Sequence, residues 1–222
     1  MDKSKKAVVL LSGGLDSTVV LAMAIQQGIE CEALSFDYGQ RHRIELNAAA
    51  VIAAYYAVPH RMITLTSFAL ATSALISDQV ALPKNRSPEE MNKSAIPSSY
   101  VPARNTLFLA YALGHAELIY ADEIHVGFNA ADQNAYPDCR PEFLKAFQQL
   151  IQVATKQSVE GKVPLLKAPL ISYSKREIIQ HGLLLKAPLD LSFSCYDPTP
   201  QNLACGACDA CILRTDGFLT AV

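Results

Sequence analysis

The chain of 222 residues and 24.1 kDa has the length of one large domain, or of one domain with a small appendage, since domains average roughly 150 residues. Half of the residues are hydrophobic, 18 % are charged and none is Trp, which excludes a disordered, collagenous or low-complexity chain. Lys plus Arg total 19 against 21 acidic residues, a formal charge of −2, so no general attraction to a nucleic-acid backbone is encoded.

In chain order, residues 7–11 form a short apolar run that Gly13-Gly14 ends, predicting a strand buried on both faces. Five apolar residues fall short of the roughly 7 to 15 of a signal-peptide core. A helix apolar almost all round follows over 17–27, closed by Gly28. A second strand is expected over 30–36, a second helix over 43–56 and a third strand over 61–65. From 66 to 102 periodicity fades and four of the twelve Pro cluster at 83, 88, 97 and 102, predicting a long loop with one short helix near 68–76. Order returns as a helix over 105–118 and a strand over 123–127. A polar loop is expected over 128–141 and a further helix over 142–157. Ser174-Lys175-Arg176-Glu177 has the form of a capping box opening a helix that stops near Gly182. Alternating strands and helices predict an α/β fold, a doubly wound and mostly parallel sheet with helices on both faces. The longest apolar run elsewhere, residues 48–58, has eleven residues, against roughly 20 for a membrane span. This reading gives a soluble cytoplasmic protein with no membrane partner, whose six Cys serve as ligands or reactive groups rather than disulfides.

Ser12-Gly13-Gly14-Leu15-Asp16-Ser17 lies between the first strand and the first helix, where backbone N–H groups and the helix dipole favour an anion. The two Gly permit positive φ and close approach of a phosphate. Ser12 and Ser17 add hydroxyls, and a carboxylate at Asp16 suits polyphosphate when a divalent cation lies between them. A tight turn with Asp16 as a simple helix cap is the alternative. With neither Gly-Lys-Ser/Thr nor G-x-G-x-x-G, this is no Walker A loop and no dinucleotide fingerprint. Ligands of open parallel sheets collect at the carboxyl ends of the strands, which adds residues 37–42 and 128–140 to the site. Tyr38, Gln40, Arg41 and His42 offer a ring, an amide and two cations there, and Arg104 with Asn105 offers a fork for phosphate or carboxylate. Surface ion pairs for Arg41 and Arg104, and a loop position for His42, are the alternative readings.

Cys195, Cys205, Cys208 and Cys211 are spaced Cys-x9-Cys-x2-Cys-x2-Cys. Four thiolates enclose a zinc ion at about 2.3 Å with no position left open, a structural site that pins the tail against the main domain. An iron–sulfur cluster or isolated thiols are the alternatives. Cys31, inside the second strand, is expected in the core. Cys139 lies beside Arg140, which favours thiolate, but a nucleophilic role is not expected of it.

Ser12 to Ser17 matches the SGGxDS turn of the PP-loop ATP pyrophosphatases, which split ATP into AMP and pyrophosphate to activate a carbonyl-type oxygen. Adding Phe36-Asp37-Tyr38-Gly39-Gln40-Arg41-His42, Val101-Pro102-Ala103-Arg104-Asn105, Tyr136-Pro137-Asp138-Cys139-Arg140 and the terminal Cys-Gly-x-Cys-x-x-Cys, the chain from Ala7 to about Phe218 resembles the 7-cyano-7-deazaguanine synthases. The resemblance implies a cytoplasmic, zinc-containing homodimer that makes a nitrile from 7-carboxy-7-deazaguanine, ammonia and ATP in queuosine precursor synthesis. It implies ATP with Mg2+ at Leu11, Ser12, Gly13, Gly14, Leu15, Asp16, Ser17 and Thr18, and catalysis by Asp16, Ser17 and Arg104. Substrate contacts are then expected from Tyr38, Gln40, Arg41, His42, Arg104, Asn105 and Arg140. A guanine-like edge presents two adjacent N–H donors, which a carboxylate accepts side by side; Asp132 and Asp138 are the candidates, with Tyr136 or Phe128 stacking on the ring. Lys175 faces either the phosphates or solvent. Residues 1–190 form the ATP pyrophosphatase domain with 66–102 as an insertion, 81–102 as its lid, and 191–222 as the zinc segment. Two rivals are a PP-loop enzyme acting on tRNA, which the near-neutral charge disfavours, and a non-catalytic zinc ribbon for nucleic acid, which leaves the 12–17 turn unexplained.

Overall fold

The computed structural model describes residues 4–66, 73–93 and 96–221. Its centre is a five-stranded parallel sheet of β1 (Lys6–Leu10), β2 (Glu30–Asp37), β3 (His60–Thr64), β4 (Glu123–His125) and β5 (Leu165–Lys167), in the order β3-β2-β1-β4-β5. The pleat of β1 sends alternate side chains to opposite faces, and both faces are covered. Val8 packs with Leu34, Ile124 and Phe147 beneath α4 (Arg104–Ile119) and α6 (Pro141–Ala154). Ala7 and Val9 pack with Val19, Ile52 and Ile178 beneath α1 (Leu15–Gln26), α2 (Ile44–Tyr55) and α8 (Lys175–Leu184). The doubly wound expectation therefore holds.

Several expectations shift. The first helix begins at Leu15 rather than Ser17, so the turn is tighter. The expected loop over 128–141 contains α5 (Ala130–Ala135), capped by Asn129, and a 3-10 turn over Pro137–Cys139. The helix expected over 142–157 breaks at Thr155, which has extended φ/ψ and caps the short α7 (Lys156–Val159) through its side chain. Strand β5 and the terminal helix α9 (Asp209–Ala221) were not foreseen. Of the short helix expected near 68–76, residues 68–72 lie outside the described part and 74–76 form a turn. Within the Pro-rich stretch, α3 (Pro88–Lys93) follows a segment fastened to the cysteine region: Lys84 pairs with Asp197 at 2.8 Å, Arg86 with Asp209, and Asn85 N–H donates to the Ala207 carbonyl at 2.8 Å.

The chain runs outward from β1 through β2 to β3, then returns to place β4 on the other side of β1. This reversal opens a crevice beyond the carboxyl ends of β1 and β4, where doubly wound folds hold their ligands.

Candidate active site

The turn from β1 into α1 lies at that crevice. Gly13 has φ +86°, and a Cβ there would stand 2.0 Å from the Glu45 carbonyl oxygen, so only glycine lets the turn press against α2. Gly14 has φ −78° and is an extended N-cap; the expectation of positive φ thus holds for the first glycine alone. On the opposite side, a Cβ on Gly127 would approach the Ser17 nitrogen to 3.1 Å, so the end of β4 needs glycine to sit over the first turn of α1. The two serine hydroxyls lie 3.1 Å apart, Gly14 N–H donates to Ser12 Oγ at 3.2 Å, and Thr18 Oγ1 donates to the Gly14 carbonyl at 2.8 Å. Amides, hydroxyls and the positive helix end converge here.

Asp16 is the charged centre. Lys175 Nζ donates to both its oxygens, at 2.7 and 2.8 Å, and Asn129 Nδ2 donates to Oδ2 at 3.1 Å. Lys175 thus points at the 12–17 turn rather than into solvent. Asp132 takes the Asn129 N–H in a capping box and lines the same cavity. Burial, followed by the nearby charge of Asp16, pushes its carboxyl up to about 6.

Deeper in the cavity, Arg104 opens α4 behind Ala103, a left-handed residue at φ 54°. Its guanidinium donates to Tyr38 Oη at 3.1 Å and lies 5.5 and 5.9 Å from the Tyr38 and Phe108 rings. Asn105 and Tyr136 share this wall, the latter bonded to Ser99 Oγ at 2.9 Å. His42 is buried and lines the same cavity, with Nε2 3.5 Å from Glu45 Oε2. Burial, reinforced by Arg104 and Arg41, lowers His42 to about 3, while burial raises Glu45 well above the carboxylate range. Burial thus works against charge on both partners.

Four sequence candidates point elsewhere. Gln40 lines the cavity, but its amide closes the turn after β2 through Tyr38 N–H and the Phe36 carbonyl. Arg41 is spent on Asp78 at 2.9 Å and Asp197 at 3.0 Å. Asp138 accepts Asn105 N–H at 3.0 Å and so caps α4, and Arg140 is exposed with Nε donating to the Gln133 carbonyl. Neither arginine nor Asp138 is on the cavity wall. Conversely, Glu45, Phe108, Asn129, Ser194, Tyr196 and Arg214 line it without having been singled out. Cys139 also faces it, its thiol pushed up by burial and bonded to Asn105 Nδ2 at 3.2 Å, which is the environment of an inert thiol rather than an activated one. Cys31 is a buried core residue.

The sulfurs of Cys195, Cys205, Cys208 and Cys211 all lie within 4.8 Å of one another, and could hold a metal ion. A tetrahedron with bonds of about 2.3 Å needs sulfurs about 3.8 Å apart, and Cys205 and Cys211 stand at 4.0 Å. Backbone N–H groups of Tyr196, Cys205 and Cys208 donate to the sulfurs of Cys208, Cys195 and Cys205, a donor set suited to thiolates. Hydrogen bonding from Cys195 chiefly, and from Tyr196 N–H, lowers the Cys208 thiol to about 5. Gly206, at φ +72°, turns the chain between two of them.

The sheet order, the switch-point turn and the acidic first helical turn match the PP-loop pattern expected from the sequence. A 4-thiouridine synthetase, solved as an RNA complex with bound ATP, has the same fold, with a TM-score of 0.53 and 19 % identity over 98 % of this chain and 50 % of that one. Residues 6–222 match the family described as queuosine biosynthesis protein QueC, and the chain belongs to that family. Among similar proteins are the 7-cyano-7-deazaguanine synthases of Desulfatibacillum aliphaticivorans, 48 % identical over 99 % of this chain and 94 % of that one, and of Saccharophagus degradans, 49 % identical over 97 % and 93 %. Among the described residues, no helix is long and apolar enough to cross a membrane.

Proposed function

We propose that this chain converts 7-carboxy-7-deazaguanine, with ammonia and ATP, into the corresponding nitrile. A carboxylate repels nucleophiles and has no leaving group, so its oxygen attacks the α-phosphorus of ATP and pyrophosphate departs. Ammonia then displaces AMP and leaves an amide. The amide oxygen is adenylated by a second ATP, and loss of AMP and a proton gives the carbon–nitrogen triple bond. The observation that carries this reading is the amide- and hydroxyl-lined turn at the switch point, with Asp16 held between Lys175 and Asn129. In it, Ser12, Ser17 and the first-turn amides cradle the departing pyrophosphate. Arg104, on a rigid helix start, faces the carboxylate and the charge that develops on phosphorus. Asp16 would hold Mg2+ against the phosphates, where the ion supplies charge neutralisation. Adenylates hydrolyse readily, and the walls of Phe108, Tyr136 and Tyr196 keep water from them. Zinc in the four-thiolate nest would act as a staple with no open position. The fuller reading is a cytoplasmic homodimer, with residues 191–222 as the metal-bearing segment of the 1–190 domain and 66–102 as its covering insertion.

The test is AMP release resolved by chromatography. Release should require the deazaguanine acid and ammonia together for a complete turnover, with about two AMP per nitrile; ATP left intact in the full mixture contradicts the proposal. Asp132 is the remaining candidate to read the guanine edge, because it lines the cavity and Asp138 does not. It must be ionised to accept two N–H donors. Since its pKa is about 6, substrate affinity should rise up to about tenfold per pH unit below 6 and level off above it. Calorimetry across this range should show the rise in the wild type and none in Asp132→Asn.

A further inference from the structure

We propose that Ser194, carried by the cysteine segment, is a ligand of the pyrophosphate half of ATP and completes the cradle that the 12–17 turn begins. Its Oγ accepts the Leu15 N–H at 3.3 Å, and that amide is the first of α1, one of the orphan donors an incoming phosphate oxygen would seek. The hydroxyl therefore stands at the helix end, beside the first-turn amides that remain open to an anion. Having accepted from Leu15, it keeps its own proton to give to a phosphate oxygen.

The serine is held from both sides. Phe193 N–H donates to the Gly13 carbonyl at 2.9 Å, which ties the residue before it to the turn. The residue after it is Cys195, a member of the four-sulfur nest, and the Ser194 carbonyl faces Cys211 Sγ at 3.7 Å. Because the backbone is fixed through the nest, the hydroxyl needs little ordering when ligand arrives. From the same segment Arg214 lines the cavity with its guanidinium fastened to Ser192 Oγ at 2.8 Å and the Leu189 carbonyl at 2.9 Å, adding a fixed positive charge on the side from which Ser194 approaches. The metal nest thus delivers a phosphate ligand as well as bracing a tail.

This assignment rests on reading the 12–17 turn as the pyrophosphate cradle. The test is calorimetric titration of the metal-loaded protein with inorganic pyrophosphate and, separately, with AMP, metal content being measured alongside. A hydrogen bond to a charged group predicts that Ser194→Ala weakens pyrophosphate binding about tenfold or more, leaves AMP binding unchanged, and is rescued by Ser194→Thr. If the alanine variant loses its metal, the isosteric pair Ser194→Thr and Ser194→Val decides the matter, with valine expected to be the weaker by the same factor. Equal pyrophosphate affinity with and without the hydroxyl overturns the assignment while leaving the cradle intact. A wild type that binds no pyrophosphate overturns both.

Discussion

Replacing Asp16 by alanine should lower turnover by about 10³-fold or more while leaving the fold in place. The carboxylate is the one acidic group of the 12–17 turn, and the role proposed for it at a metal-bound polyphosphate would be worth several kcal/mol in the transition state. Its structural contribution is smaller. The Lys175 partner is about one-fifth exposed and anchored by the capping box of α8, so losing the pair costs about 1 kcal/mol and a few degrees in Tm. Steady-state AMP release together with a thermal melt separates the two effects. A variant that keeps turnover within tenfold of wild type, or that fails to fold, contradicts the role given to Asp16.

Cys208→Ser should act in the opposite way, through the structure first. Its sulfur accepts the Tyr196 N–H and the residue is buried within the four-sulfur nest, so serine removes one of four ligands and leaves a buried hydroxyl in its place. In small structural sites, zinc binding at neutral pH is worth about 10 to 16 kcal/mol of apparent free energy. A metal in this nest would also brace a segment that bonds the 12–17 turn through Phe193 and Ser194. Loss of bound metal and a drop in Tm well beyond that of Asp16→Ala are expected, with nucleotide affinity falling as well. Metal analysis and a melt check this, and equal melts for the variant and the wild type would contradict a structural metal.

The difference between these two variants follows what the sequence could and could not convey. The phosphate turn was legible because strand, glycines and helix are contiguous, and a local pattern suffices to place them. The cysteine nest was legible from spacing alone. Strand β5 is three residues, Leu165–Lys167, too short for any periodicity to appear, and α9 was obscured because Cys208 before it and Cys211 in its first turn dominate the reading there. Asp138 and Arg41 show the harder limit. Residue type marked both as candidates, yet Asp138 caps a helix that starts 34 positions earlier at Arg104 and Arg41 reaches Asp197; such partners arise only when distant segments meet. Glu45, Ser194 and Arg214 entered the cavity for the same reason, since none belongs to a local motif. Fold and chemistry come from contiguous segments, whereas the walls that choose a substrate come from non-local packing.

The central claim is that the turn after β1 holds the triphosphate while an oxygen of the substrate attacks its α-phosphorus. Crystals of the metal-loaded protein grown with a non-hydrolysable ATP analogue and Mg2+ test it most directly. Density for the β- and γ-phosphates is predicted against Ser12, Ser17 and the first amides of α1, with the metal ion on Asp16. A triphosphate bound anywhere else, with that turn left to solvent, would contradict the account.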